Sequence, residues 1–285
     1  MKIVPRQGGK AEFLSLWKST LEDGVIITRQ DPKRLLNLRC SQLPYCPRSV
    51  LLNYVQRGML FPMSASMDYY VSVGTAVHSM AQRHLPMSGS LLANYHCHEC
   101  GKRYPMSYVH ECCGFSTSYD EVAVDYRGIQ GHIDCVWKDS KGRLWIVDFK
   151  TTSLGASLGK LRNPGKGYVR QIRAYAYLLW KQYGLKVAGV MLFFIPRDNP
   201  RKPVAWEYII KDGDWEDIRL ELKHDRILHK KTMVASTVED IKALAVHTCG
   251  GDYCETCKLS RTQWTSKVIK GLKKLPIIQE KERLR

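Results

Sequence analysis

The sequence lacks a secretory leader: its opening, MKIVPRQGGK, has no apolar h-region. It also lacks an apolar run long enough to cross a bilayer; the longest, Val187 to Pro196, has the length of a strand. No internal repeat and no low-complexity block interrupts it. On these absences the chain is expected to be cytoplasmic, away from membranes, where thiols stay reduced. In that setting the ten cysteines point to metal ligation rather than to a disulfide framework. Acid is scarce as well, with 27 Asp and Glu against 44 Lys and Arg and a net charge of +17. That excess points to a polyanionic partner, because each phosphate neutralised releases condensed counterions.

A chain of 285 residues can bury one large core, with room for insertions. An amphipathic helix is expected near Lys10–Leu21 and another from Pro47, whose ring suits a first helical position. A third spans about Gly74 to Leu85. Three strand-like runs follow at 121–126, 129–138 and 143–150, then a Gly-rich loop at 155–167 and a helix over 168–183. Strands near 187–195 and 204–210 and helices near 215–228 and 238–246 complete an α/β (α+β) layout, before a basic tail over 258–285.

The strand IVDFKTT carries the first chemical signal. Side chains alternate along a strand, so Asp148 and Lys150 share one face while Val147 and Phe149 share the other. Charges on a core strand are costly unless something compensates them. A hairpin turning over Ser140-Lys141-Gly142 sets Asp139 opposite Arg143 and Asp134 opposite Asp148. Facing carboxylates repel, and a divalent cation neutralises them well. Lys150 would lie beside the pair, able to hold a water or offset phosphate charge.

A second signal is Cys97-x-x-Cys100-Gly101 followed by His110-x-x-Cys113-Gly114, two knuckles of equal spacing that read as a zinc ribbon inserted over 94–116. The expected Zn²⁺ ligands are Cys97, Cys100, His110 and Cys113, with Cys112 as the alternative to His110.

GHIDCVWKDSKGRLWIVDFKTT (131–152) resembles the core of the PD-(D/E)XK nucleases, in particular the RecB-like branch that includes CRISPR-associated exonucleases. Gly74-Thr75-Ala76-Val77-His78 is similar to that branch's G-x-x-x-H helix, which makes His78 a metal ligand by resemblance. Glu121 matches an acidic position near the metal site, and Gln171 with Tyr175 matches the Q-x-x-x-Y helix beside the DNA. The resemblance implies a central mixed sheet flanked by helices. It implies one or two Mg²⁺ or Mn²⁺ ions held by His78, Asp134, Asp148 and the carbonyl of Phe149. It further implies a 4Fe–4S cluster on Cys46 (in YCPR), Cys249, Cys254 and Cys257, although the spacing of the last three differs from the usual pattern and a second zinc would use the same thiolates. Cys40 is the alternative first ligand, and Cys135 is expected as packing.

On this reading residues 1–257 form a nuclease domain. Its parts are a helical N-terminal region (1–73), the ribbon, a catalytic core (117–210) and a helical, cysteine-bearing region (211–257). The expected activity is hydrolysis of DNA phosphodiesters, as an exonuclease on single strands or resected ends in repair, recombination or replication, with proteins of those pathways as partners. A structure-specific endonuclease and a non-catalytic DNA-binding accessory protein are the alternatives. A phage- or virus-encoded origin is a further expectation for the chain.

Overall fold

The computed structural model describes residues 25–29, 38–43 and 60–234. In chain order the elements are β1 (Val25–Arg29), β2 (Leu38–Arg39), β3 (Leu60–Ser64), α1 (Ala65–His84), β4 (Leu91–His96), β5 (Arg103–Ser107), β6 (Glu111–Cys112) and β7 (Phe115–Ser116). Then come β8 (Ser118–Asp120), β9 (Val122–Tyr126), β10 (Ile129–Ile133), β11 (Cys135–Lys138), β12 (Leu144–Thr152), α2 (Leu154–Arg162) and α3 (Lys166–Tyr183). β13 (Gly189–Pro196), β14 (Val204–Ile209) and α4 (Asp214–Val234) complete the set.

The main sheet runs β14-β13-β12-β11-β4-β5, with β8 pairing β4 beyond the end of β11. β12 and β13 are parallel and their neighbours antiparallel, so the sheet is mixed. A parallel pair needs a long crossover, and α2 with α3 supplies it. β12 can be apolar on both faces because both are covered. Ile146 joins Val190, Leu192 and Phe194 in the core beneath α3. Val147 and Phe149 join Cys135, Leu91 and Ile195 in a second core that includes Ala81 of α1. Helix α3 buries Ile172, Ala176 and Leu179 on one side, at helical spacing, and stops at Gly184 in a left-handed cap.

Several expectations are corrected. Residues 1–73 were expected to be helical, yet β1 and β3 pair there antiparallel, in keeping with the strand-favouring Val25-Ile26-Ile27-Thr28. Helix α1 begins at Ala65, well before Gly74. The run 129–138 is two strands, broken at Asp134, where the chain leaves the small β2-β10-β9 sheet for the main one. The Gly-rich stretch expected as a loop contains α2, and its first N–H, at Leu154, is capped at 2.8 Å by Asp198 from the other side of the crossover. That cap is invisible to a local reading. The ribbon expected over 94–116 starts inside β4, so it grows out of the main sheet. The helices expected at Lys10–Leu21, from Pro47 and at 238–246, and the basic tail, lie outside the described residues. Among the described residues no helix is long and apolar enough to cross a membrane.

Candidate active site

The hairpin between β11 and β12 fixes the site. Cys135 pairs with Val147 and Lys138 with Leu144, the register that brings Asp134 level with Asp148. The tip is locked by Asp139, whose Oδ1 accepts the N–H groups of Lys141 (3.0 Å) and Arg143 (2.9 Å). Its Oδ2 accepts Arg143 Nε–H (2.8 Å) and Trp145 Nε1–H (3.1 Å). Desolvation, the largest single influence, raises the Asp139 carboxyl, but these donors together hold it down at about 2. A slip of one residue would break every one of these bonds and turn Asp148 to the wrong face.

Beyond the ladder, Asp134 Oδ2 accepts the Phe149 N–H at 2.8 Å, and Tyr119 Oη donates to the Asp134 carbonyl at 2.6 Å. Asp134 is 8% exposed and Asp148 2%. Burial pushes the Asp134 carboxyl well above its ordinary range, and the charge of Asp148 adds to it. Burial raises Asp148 too, against the opposing pull of Lys150. Lys150 Nζ stands 2.5 Å from Asp148 Oδ2 and pairs with it. Two buried acids with a single lysine, paired to only one of them, form an incompletely neutralised cluster.

His78 enters from α1. Its Nε2 lies 3.0 Å from the Phe149 carbonyl and its Nδ1 3.5 Å from Asp134 Oδ2. With Nε2–H donating to the carbonyl, Nδ1 presents a lone pair to a carboxylate oxygen. Two Lewis bases facing each other at this spacing suit a shared cation. Glu121 completes the group: ligand atoms of His78, Glu121 and Asp134 all lie within 4.8 Å of one another. The residues therefore fit a divalent ion, and an imidazole with carboxylates accommodates Mn²⁺ as well as Mg²⁺. The compact donor group contains Glu121 in place of Asp148, whose carboxylate is engaged by Lys150.

Sequence reasoning missed Gln82 and Tyr119. Gln82 Nε2–H donates to Glu121 Oε1 at 2.7 Å, holding the acid toward the cluster. Gln82 lies four residues after His78 and so on the same helix face, which was a usable signal; for Tyr119 there was none. Gln171 and Tyr175 are buried, with Gln171 Nε2–H donating to Tyr175 Oη at 3.0 Å. The Tyr175 ring packs so tightly on Gly131 that a Cβ there would sit 2.4 Å from it. Tyr168 is partly exposed, with Lys150 Nζ 5.2 Å from its ring centre, and Arg173 pairs with Glu221.

The PD-(D/E)XK nuclease superfamily model matches residues 102–262, more than half the chain, including both carboxylate strands and α3. The chain belongs to the PD-(D/E)XK nuclease superfamily. Similar solved structures include an alkaline exonuclease (LHK-Exo) from Laribacter hongkongensis, 12% identical, with 74% of this chain and 93% of that one covered and a TM-score of 0.42. A phage-related exonuclease from Haemophilus somnus 129PT is 13% identical, with 68% and 96% covered and a TM-score of 0.39. No protein of curated function matches.

This PD-(D/E)XK chain carries a second donor cluster, within residues 97–113. Sulfurs of Cys97, Cys100, Cys112 and Cys113 lie within 4.8 Å of one another. His110 does not join them; its Nδ1 lies 3.4 Å from the Tyr108 carbonyl. The physical reason is the tight β6–β7 turn, where Cys113 and Gly114 both take positive φ (54° and 80°) and bring adjacent cysteines inward. Cys112, the alternative, therefore stands where His110 was expected, and it accepts a hydrogen bond from Tyr104 Oη at 3.0 Å. The Lys102 N–H, with the neighbouring thiols, lowers the Cys100 thiol to about 7. Hydrogen bonding to Cys100 and Cys112 pushes Cys113 up to about 12. Four thiols sharing protons unequally at this spacing fit a tetrahedral Zn²⁺. Cys40 is wholly buried in the core beside Gly131 and Tyr175, and Cys135 is buried in the second core. Cys46, Cys249, Cys254 and Cys257 lie outside the described residues.

Proposed function

We propose that this superfamily member is a metal-dependent deoxyribonuclease of the RecB-like branch, acting on free ends of single-stranded or resected DNA. The observation that carries the hydrolytic reading is the buried Asp134–Asp148 pair with Lys150 against it and His78 facing Asp134. A bound Mg²⁺ or Mn²⁺, held by His78, Asp134 and Glu121 with Asp148 and the Phe149 carbonyl adjacent, would acidify a water and offset phosphate charge.

The chain's own residues do the rest. Asp134 and Asp148, ionised, supply the negative field that draws and orients the attacking water. Lys150 holds that water or a non-bridging phosphate oxygen, with its ammonium close to where charge grows. The attacking water gives up a proton to solvent as its oxygen bonds to phosphorus, the bond to the leaving sugar oxygen breaks, and that oxygen takes up a proton from solvent. Gln82 keeps Glu121 in place, and Tyr119 fixes the backbone at Asp134. Gln171 and Tyr175 brace β10 through Gly131, a supporting role that suits their burial. Tyr168 offers an exposed ring beside Lys150 for a base next to the scissile phosphate.

The ribbon is proposed to hold Zn²⁺ on four cysteines. Cys46, Cys249, Cys254 and Cys257 are proposed to hold a 4Fe–4S cluster, with a second zinc as the alternative. A visible absorption spectrum with iron and zinc analysis separates these. The preference for ends rests on the resemblance of the motif set to RecB-like exonucleases, and repair, recombination or replication is the setting it suits. End-labelled linear DNA and circular single strands, each with Mg²⁺, Mn²⁺ or EDTA, test the function. Metal-dependent loss of linear DNA alone is expected. Cutting of circles would replace the exonuclease with an endonuclease, and binding without cleavage would leave an accessory protein.

A further inference from the structure

Away from the acid cluster, the β9–β10 turn, α3 and α4 enclose a cavity of about 380 Å³. Its floor is apolar: Ile129, Tyr177 and Leu222 are each buried. Its rim is cationic, formed by Arg127, Lys181, Lys223 and Arg226, with Arg219 held by Glu216. The first four form no ion pair with a carboxylate among the described residues. Arg127 lies over the Tyr126 ring (5.3 Å), while Lys181 Nζ stands 3.6 Å from the Trp180 ring centre and 5.4 Å from that of Tyr177, so aromatic faces hold both cations at the edge of the concavity. Like charges converging on a pocket repel, and among the described residues only Arg219 of the five has a carboxylate partner, Glu216. An apolar base with a ring of cations is the complement of a nucleotide: a base for the floor, phosphates for the rim.

We propose that this pocket is a second nucleic-acid site, binding a phosphate-bearing nucleotide of the substrate strand several steps from the scissile bond. The inference rests on the nuclease reading for its ligand. Ile129 lines the pocket, and Asp134 follows the other end of β10, five residues on. At roughly 3.3 Å per residue that is about 16 Å, too far for one nucleotide to reach both. The pocket therefore distinguishes long substrates from short ones.

The test compares the Arg127→Ser/Lys223→Ser double variant with a control of equal charge change, Lys141→Ser/Lys211→Ser. Binding of a 5′-labelled 20-nucleotide single strand is measured against salt with Ca²⁺ in place of Mg²⁺, beside binding of a dinucleotide. The pocket variant should bind the 20-mer about tenfold more weakly, with its salt slope reduced by about 1.4, two contacts at ~0.7 each for single strands. Dinucleotide binding and the control should stay within about twofold of the parent. Equal loss in both double variants would reduce the pocket to bulk charge, and no loss in either would remove it; both outcomes overturn the proposal. Because binding is read without cleavage, a failure of the nuclease reading shows separately, as intact DNA when Mg²⁺ is restored.

Discussion

The acid cluster lies between two buried apolar cores, whereas of the four clustered thiols only Cys97 is buried, Cys112 is half-buried on β6, and Cys100 and Cys113 are exposed in turns. The first gathers its donors from α1, the start of β9, the β10–β11 break and β12. The second takes all four from residues 97–113. Burial governs the acids, pushing both carboxyls upward; hydrogen bonds between neighbours govern the exposed thiols. The two clusters should therefore respond in opposite ways. Disturbing the acids should abolish chemistry while sparing or raising stability. Disturbing the thiols should cost structure around the ribbon and leave the acids' geometry in place.

The largest expected effect is on cleavage. Lys150→Ala should lower the rate of DNA hydrolysis at least about a thousandfold, measured in single-turnover assays, with the far-ultraviolet circular dichroism unchanged. Smaller, and on the other cluster, is zinc content. Cys112→Ser should lose ribbon zinc by metal analysis, while His110→Ala should retain it. The opposite outcome would restore the His110 ligand set.

Glu121→Gln should raise the Mn²⁺ concentration for half-maximal cleavage by about tenfold to a hundredfold, with Gln82→Ala lying below it, since Gln82 acts through Glu121. The smallest effect is on stability. Asp134 has a folded pKa above its unfolded value, so its ionisation costs nothing below the unfolded carboxylate range, near 4, and increasingly destabilises the fold as pH rises through the folded value. Without added Mg²⁺ or Mn²⁺, Asp134→Asn should raise Tm by about 3–5 °C at pH 8 and leave it unchanged near pH 4. A lower Tm at pH 8 would mean that the acid pair is already compensated.

The facing of Asp134 and Asp148 was legible in the sequence because a hairpin loop with Gly in the left-handed position fixes register, and register fixes faces. The gathering of Cys97, Cys100 and Cys113 was legible from their spacing. Cys112 was harder, because spacing alone favours equal knuckles and only the turn at Cys113-Gly114 shows which donor points inward. Helix α2 was hidden by its glycines and by a cap supplied from Asp198. The break at Asp134 was hidden because 129–138 is a plausible single strand until two sheets compete for it. Tertiary partners, absent from any local window, account for the break at Asp134 and for the cap on α2.

The most direct measurement is Mn²⁺-dependent hydrolysis of end-labelled single-stranded DNA by wild type and Asp134→Asn, side by side and with equal zinc content. Cleavage by the wild type and none by the folded, zinc-loaded variant is the predicted result. Cleavage by Asp134→Asn at the wild-type rate would contradict an active site built on the buried acids.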